Sequence, residues 1–448
     1  MRVSEQKLHL VIGLGATGLS CVRYLVSQNI PVMVVDTRDN PPKLAECRDA
    51  FPAVEIHLGQ FSEAVFSKAD VLVVSPGMSL DDPCIQRCLH NNISVMGDVE
   101  IFARDAKAPI VAITGSNGKS TLTTVMGELI TNAGFQAVVC GNIGLPVLDA
   151  IMQPVPDFYV VELSSFQLDT TYSLKAKVAV VINVSPDHMD RYATVDDYRA
   201  SKQRVYHHCE HAVVNADEPD IWQSLHFQSD PIAFTLEKPA PFAWGVITEG
   251  NEKYLACGDE KYIAVSELIL QERHNCQNFL VALAMGSILQ LPMDSMLTTL
   301  RHFSGLAHRC QFVRNTHGVI WYNDSKATNV GAAVAAIESV GQRVSGRLIL
   351  IAGGDSKGVE LTALQNPVKH YVSHVILLGK DADLLQSVLE GVADIKRVST
   401  ISDAVRVAHA LSTSGDIVLL APACSSLDQY ENYMARGNDF VRAVNQIV

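Results

Sequence analysis

Three runs of short apolar strands alternating with amphipathic helices, laid end to end along 448 residues, predict an α/β protein of three domains. The first run contains LHLVIG, VMVVD and VLVVSPG, the second PIVAIT, FYVVEL and VAVVINV, and the third VIWYND, RLILIAGG, HVILLG and DIVLLAP. Unbroken apolar runs of this kind mark the strands of parallel sheets, which helices cover on both faces. The length suits roughly three domains of ~150 residues each. The places where the pattern restarts put the domains at 1–97, 98–304 and 305–448.

Hydrophobic residues make up 48% of the chain and charged residues 19%, enough apolar surface for a large core. The net charge of -13 is spread along the sequence. It disfavours a nucleic-acid partner or an anionic membrane, both of which select basic surfaces. No apolar run approaches the ~18 residues of a membrane span. The strand pattern starts at Leu8 with no basic and then apolar leader before it. The chain is therefore expected in the cytoplasm, as a monomer acting on small molecules, with its cysteines reduced. Cys84 and Cys88 stand at the spacing of a helix turn, not of a zinc knuckle.

Between the first strand and the first helix, Gly13, Gly15 and Gly18 form G-x-G-x-x-G, and Asp36 ends the second strand. This Rossmann-like arrangement suits NAD, and equally any other diphosphate held against a helix N-terminus.

In the second run TGSNGKST, Thr114 to Thr121, joins a strand to a helix whose Leu122, Val125, Met126, Leu129 and Ile130 form a core stripe and which Gly134 stops. Backbone N–H groups of Gly115, Ser116, Asn117 and Gly118 would converge on phosphate oxygens, Lys119 would reach the outer phosphates, and Ser120 or Thr121 would ligate Mg2+. The domain is P-loop ATPase-like, with a loop shorter than the standard one: only Ser116 and Asn117 separate its glycines. Glu162 ends FYVVEL, taken as the next strand after this helix. It either completes a cation site begun by the loop hydroxyl or is a solvated strand-end carboxylate.

The segment NVSPDHMDRY brings Asp187, His188 and Asp190 to the same sheet edge. His188 could hold a cation, orient a carboxylate or be structural. Lys202 reads as a surface lysine, and an ammonium cannot ligate a metal. The run His207, His208, Cys209, Glu210 and His211 has metal-binding residue types, but adjacent helical residues point apart. Residues 232–268 read as short strands with turns, an antiparallel addition.

The third run is again Rossmann-like, and NDSKATN, GGDSKG and APACSSLDQY all follow strands. N–H groups around Ser425 and Ser426 could receive a carboxylate, and Lys326 and Lys357 add positive charge. Each loop alone is ordinary turn chemistry; together they suit an anion. Three activities stay open on these residues. An NAD oxidoreductase leaves the phosphate loop without a role, a nucleotide switch leaves the C-terminal loops without one, and an ADP-forming ligase uses both.

With TGSNGKST, ELSSFQ, DHMDR, HRCQF, NDSKATN and PACSSLDQ in this order between Gly13 and Phe440, the chain resembles the Mur ligases of peptidoglycan synthesis. The resemblance implies ATP-dependent joining of an amino acid to a carboxyl group through an acyl phosphate, with two Mg2+ ions. By resemblance, Ser120 and Glu162 hold the first metal and His188 the second, while Asn142 in GNIG orients the acceptor. Lys202 matches the family's carbamylated lysine, whose added CO2 makes it an oxygen ligand. Asn275 and Asn278 fall near the adenine, Arg309 near the phosphates, Asp324 at the ribose and Lys326 by the γ-phosphate, on a C-terminal domain that closes over the site. Thr17, Asp36, Thr37, Arg38 and Gly77 would surround UDP, replacing NAD at the glycine turn, with Arg38 adding positive charge. Thr328, Lys357, Ser426 and Tyr433 would bind the amino acid. The C-terminal motifs resemble those of members that add D-glutamate to UDP-N-acetylmuramoyl-L-alanine.

Overall fold

Strand pairing sorts the chain into three sheets. The computed structural model describes residues 7–189 and 191–447; Asp190 therefore lies outside the described residues. Two compact units result, Met1–Phe303 and Ser304–Val448.

The first sheet is parallel throughout, with β1 (His9–Ile12), β2 (Val32–Asp36), β3 (Glu55–Leu58), β4 (Val71–Val74) and β5 (Ser94–Met96) in the order β3-β2-β1-β4-β5. The chain reverses direction across the sheet between β1 and β4, where a crevice opens at the strand ends.

The second sheet has nine strands. They are β6 (Ile110–Thr114), β7 (Ala137–Gly141), β8 (Phe158–Glu162), β9 (Val178–Val181), β10 (His211–Asn215), β11 (Ile232–Phe234), β12 (Trp244–Glu249), β13 (Glu252–Cys257) and β14 (Glu260–Ala264). Their order is β14-β13-β12-β11-β10-β9-β6-β8-β7. Two sequence expectations need correction. FYVVEL is not the next strand after the phosphate-loop helix, because β7 intervenes along the chain, although β8 does lie beside β6. The 232–268 addition is antiparallel only from β12 onward, since β11 pairs parallel with both β10 and β12.

These two sheets share one core. Leu19, Val22 and Leu25 of helix Ala16–Ser27 cluster with Val147 and Leu148 of helix Val147–Ile151, and Phe102 meets Tyr159 edge-on at 5.1 Å. Buried Glu100 reinforces the junction by accepting from the backbone N–H groups of Tyr172 at 2.7 Å and Ser173 at 2.9 Å. These donors, with Ser173 Oγ and Arg104, outweigh the desolvation cost of burying the carboxylate and hold its pKa below the ordinary range.

The second unit holds β15 (Gln311–Thr316), β16 (Val319–Asn323), β17 (Leu348–Gly353), β18 (Val372–Leu378), β19 (Asp394–Arg397) and β20 (Ile417–Leu420), ordered β15-β16-β20-β17-β18-β19. Only the β15–β16 pair is antiparallel. Asn323, Gly353 and Leu420 end three adjacent parallel strands, so the polar loops that follow them emerge at one sheet edge.

Candidate active site

The phosphate loop is braced from two sides. Gly115 and Gly118 adopt φ of 155° and 83°, open to glycine and strained for other residues. A Cβ on Gly118 would lie 2.6 Å from Asn278 Oδ1. Asn183, just beyond β9, accepts from the Ser116 backbone N–H at 2.9 Å through its carbonyl and from that of Asn117 at 2.8 Å through its side chain, so these two amides, expected to face phosphate, are instead spent on bracing the loop. Helix Lys119–Asn132 follows with no side-chain cap, so its first N–H groups are left for an anion.

Two lysines share one acceptor there. Lys119 Nζ donates to the carbonyls of Gly115 at 2.9 Å and Ser116 at 3.0 Å, and Lys202 Nζ donates to that of Gly115 at 2.9 Å. Helix Val195–Gln203, started by a Thr194–Asp197 capping box, turns Tyr198, Ser201 and Lys202 inward on one face. Lys202 is thus buried, at 1% exposure, with its Nζ 4.4 Å from the Tyr198 ring centre. Burial first, and the charge of Lys119 second, pull its pKa down to about 7.

Glu162 faces the same edge. Its Oε1 accepts from Asn142 Nδ2 at 2.7 Å, while Oε2 is buried with no hydrogen-bond partner. Asn142 reaches it because Gly141, at φ 108°, lets β7 approach β8: a Cβ there would sit 2.2 Å from the Glu162 carbonyl oxygen. His188 takes a left-handed φ of 56° and is partly exposed, its ring 4.9 Å from that of Phe166.

At the first sheet, Gly18 is required because a Cβ would fall 1.8 Å from the Gly13 carbonyl oxygen. Thr17 lies in the first turn of helix Ala16–Ser27, whose N-terminus also lacks a side-chain cap, and Gly77 is exposed beyond β4. Asp36 is buried, and burial raises its pKa. Arg38, which pairs with it at 2.6 Å, and the Leu14 N–H, which donates at 2.6 Å, outweigh burial and hold the carboxyl below its ordinary range. Arg38, exposed beside Thr37 just after β2, therefore neutralises Asp36, which reduces the positive charge it was expected to add.

In the second unit, Arg436 was missed by the sequence reading. It is buried, and donates to the carbonyls of Ser325, Gly353 and Cys424 and to Ser325 Oγ, tying together the three loops that follow β16, β17 and β20. Burial lowers its pKa to about 10. A positive charge thus sits beneath an edge formed of Ser325, Ser425 and buried Ser426. Its signal was present: Arg436 stands at helical spacing on the same face as the apolar Phe440, Ala443 and Val444 of helix Tyr433–Asn445. Tyr433 opens that helix and its carbonyl accepts from Ser325 Oγ at 2.8 Å. Asp324 is buried, its carboxyl raised to about 6 by desolvation, with Cys310 Sγ donating at 3.7 Å. Exposed Lys326, two residues on, and exposed Arg309 both act on it electrostatically and pull its pKa down; Thr328 is half-buried, and Lys357 takes a left-handed φ of 56° after β17.

Family comparison accounts for these parts together. The MurD-like N-terminal domain of Mur ligases matches residues 7–97, the Mur ligase middle domain 113–286, and the Mur ligase glutamate ligase domain 308–424. UDP-N-acetylmuramoylalanine–D-glutamate ligase of Coxiella burnetii is 47% identical over 446 residues, 99% of this chain and 100% of that one. The chain belongs to the Mur ligase family. The like-named enzyme of Pseudomonas aeruginosa is 46% identical over 99% of both chains. The fold also matches the crystal structure of UDP-N-acetylmuramate-alanine ligase MurC from Thermotoga maritima, with a TM-score of 0.54 at 16% identity over 98% of this chain and 99% of that one.

Mur ligases use ATP, and the phosphate loop of this one fits a divalent cation. The orphaned Glu162 Oε2 is an oxygen donor aimed at nothing else, and the Ser120 hydroxyl lies in the first turn of the loop helix. Among the described residues no three His, Cys, Asp or Glu side chains form a ready-made cage. The donor set therefore suits a cation shared with phosphate oxygens rather than one enclosed by protein. Asn275 and Asn278 are buried on helix Arg273–Ile288, and Asn278 Oδ1 lacks a partner beside the loop. The residues His207 to His211 disperse: Glu210 pairs with Lys177 at 2.6 Å, His211 meets Ser229, and Cys209 is buried. All ten cysteines are free thiols. Among the described residues no helix is long and apolar enough to cross a membrane.

Proposed function

We propose that this Mur ligase joins D-glutamate to UDP-N-acetylmuramoyl-L-alanine in the cytoplasm, with ATP cleaved to ADP and phosphate. The observation that carries the assignment is a second lysine brought to the phosphate loop from another helix: Lys202, buried and donating to the Gly115 carbonyl beside Lys119, has no use in a nucleotide switch. The full-length relatives bearing that enzyme name support the choice of amino acid.

A carboxylate cannot acylate an amine directly, since it would have to expel oxide. Transfer of the γ-phosphoryl group forms a bond from the carboxylate oxygen to phosphorus and breaks the bond to ADP. The neutral amine of D-glutamate then attacks the carbonyl carbon, loses a proton, and phosphate departs as the amide forms. Lys119 accompanies the transferring group, and Asn142 and His188 orient the acceptor carboxylate. Bound Mg2+ would neutralise the phosphate oxygens, held by Ser120 and Glu162 at one position and by His188 and a carbamate on Lys202 at another.

That carbamate forms when the neutral Lys202 amine attacks CO2 and releases a proton. At pH 7.5 a lysine titrating near 7 is mostly neutral, against ~0.1% of an ordinary one, so the reactive form is enriched roughly 700-fold. Asn275, Asn278, Arg309, Asp324 and Lys326 serve ATP. Thr17, Asp36, Thr37, Arg38 and Gly77 serve UDP, and Thr328, Lys357, Ser426 and Tyr433 serve the two carboxylates of D-glutamate.

The test is phosphate release with each substrate left out in turn. Release is expected only with ATP, UDP-N-acetylmuramoyl-L-alanine and D-glutamate together. Release that ignores the amino acid would show hydrolysis instead of ligation.

A further inference from the structure

Arg191 has no part in the reaction as set out above, yet it spans the two places that the nucleotide substrate must reach. Its Nη2 donates to the Met78 carbonyl at 2.9 Å, across 113 residues of sequence. Met78 closes a turn with Ser75, whose hydroxyl donates to the Gly13 carbonyl at 3.2 Å. This end of Arg191 therefore rests on the loop after β4, which the Ser75 hydroxyl ties to the glycine turn of the first sheet.

The other end rests on Phe166. The guanidinium carbon lies 4.6 Å from the centre of that ring, the Tyr192 ring is parallel to it within 2° at 5.9 Å, and the His188 ring meets it at 4.9 Å. Phe166 belongs to helix Ser165–Asp169, fixed by a Ser164–Gln167 capping box, and Tyr192 is fixed through its hydroxyl on Asp169 at 2.7 Å. His188 is held less directly. Its ring is 3.6 Å from the exposed Asp187 carboxylate, too far for a firm hydrogen bond, so its setting depends on the Phe166 ring and on Tyr198 at 6.1 Å.

We infer that Arg191 is a positioning residue that transmits occupancy of the nucleotide turn to His188 through Phe166. A planar guanidinium can stack on a ring and donate to a carbonyl at the same time, and a lysine cannot reproduce both. When the nucleotide fills the crevice between Gly13 and Met78, the Met78 carbonyl is fixed, Arg191 is fixed with it, and the stack holds the histidine ring where the acceptor carboxylate arrives. The inference rests on the ligation proposed above for its kinetic arm, and its spectroscopic arm is independent of turnover.

Kinetics of Arg191→Ala, Arg191→Lys, Phe166→Leu and the Arg191→Ala/Phe166→Leu double variant test it. Both arginine variants should lose kcat by about 10- to 100-fold, as losses of ligand-orienting partners do. The KM for ATP should not change, and the double variant should be no worse than its poorer parent. Loss confined to the KM of the nucleotide substrate and restored by lysine would overturn the inference, because it would mean that Arg191 contacts a phosphate itself. Additive losses would overturn it too. In the spectroscopic arm, UDP added to histidine-labelled enzyme should shift the His188 ring signals in the wild type and leave them in place in Arg191→Ala. No shift in the wild type, or the same shift in both, would refute the coupling. A wild type that shifts with UDP but releases no phosphate with the three substrates would instead refute the ligation.

Discussion

Replacing Lys202 by methionine should stop ligation and, at neutral or acidic pH, make the Met1–Phe303 unit more stable. The Nζ group is buried and its pKa stands at about 7 against an ordinary 10.5. That gap corresponds to ~5 kcal/mol of penalty on the charged form. Methionine has similar length and no charge to desolvate, but it forfeits the hydrogen bond to the Gly115 carbonyl, worth ~1.5 to 3 kcal/mol for a charged donor. The net gain is therefore ~2 to 3.5 kcal/mol. Its pH dependence has a definite sign, because the folded pKa lies below the unfolded one. The penalty is present in full below about 7, where both states bind the proton, shrinks as the folded state deprotonates, and is gone above the unfolded value. Urea unfolding at pH 6 and pH 10, in CO2-free buffer without Mg2+, reads the effect. Methionine should raise the midpoint at pH 6 and lose that advantage by pH 10. A lower midpoint than the wild type at pH 6 would mean that an anion stabilises the cation and that burial is not what lowers its pKa.

Three further outcomes are expected. Lys202→Ala should abolish activity, and a short carboxylic acid such as formate should partly restore it by placing an oxygen donor in the vacated space; an unimpaired variant would refute the role of Lys202. Gly118→Ala should raise the KM for ATP about tenfold, equivalent to ~1.4 kcal/mol, since the new Cβ must displace Asn278 and sit at a φ of 83°. Arg436→Met should lower the stability of the Ser304–Val448 unit by ~3 to 5 kcal/mol by leaving buried carbonyls unpaired, and calorimetry showing an unchanged transition for that unit would refute the reasoning.

The parallel strands were legible because their burial makes them apolar on both faces, as in VLVV of β4 and IVLL of β20. The edge strands were not. QFVRNT of β15 is mostly half-buried with a charge in mid-strand, and DIKR of β19 carries charges on exposed positions, so that hydrogen-bond pairing, which has no sequence period, is all that defines them. AVVCG of β7, also at a sheet edge, is apolar but short and mostly half-buried, which leaves it no two-faced apolar run longer than a turn could show. At the site, glycines and strand-end residues announced themselves by spacing. What spacing could not convey was partnership across the chain: that Arg38 spends its charge on Asp36, that Lys202 lies under Tyr198, and that Arg436 holds three separate loops.

The bracing of the phosphate loop bears on what could be transplanted between proteins. Thr114 to Thr121 looks like a cassette that a longer loop could replace. Its Ser116 and Asn117 amides, however, are bound to Asn183, and its Gly118 is pressed against Asn278, residues drawn from two distant parts of the chain. A loop with two more residues would have to push out through one of these contacts. The unit of inheritance is therefore the loop with both asparagines, and a graft should take only when all three segments move together.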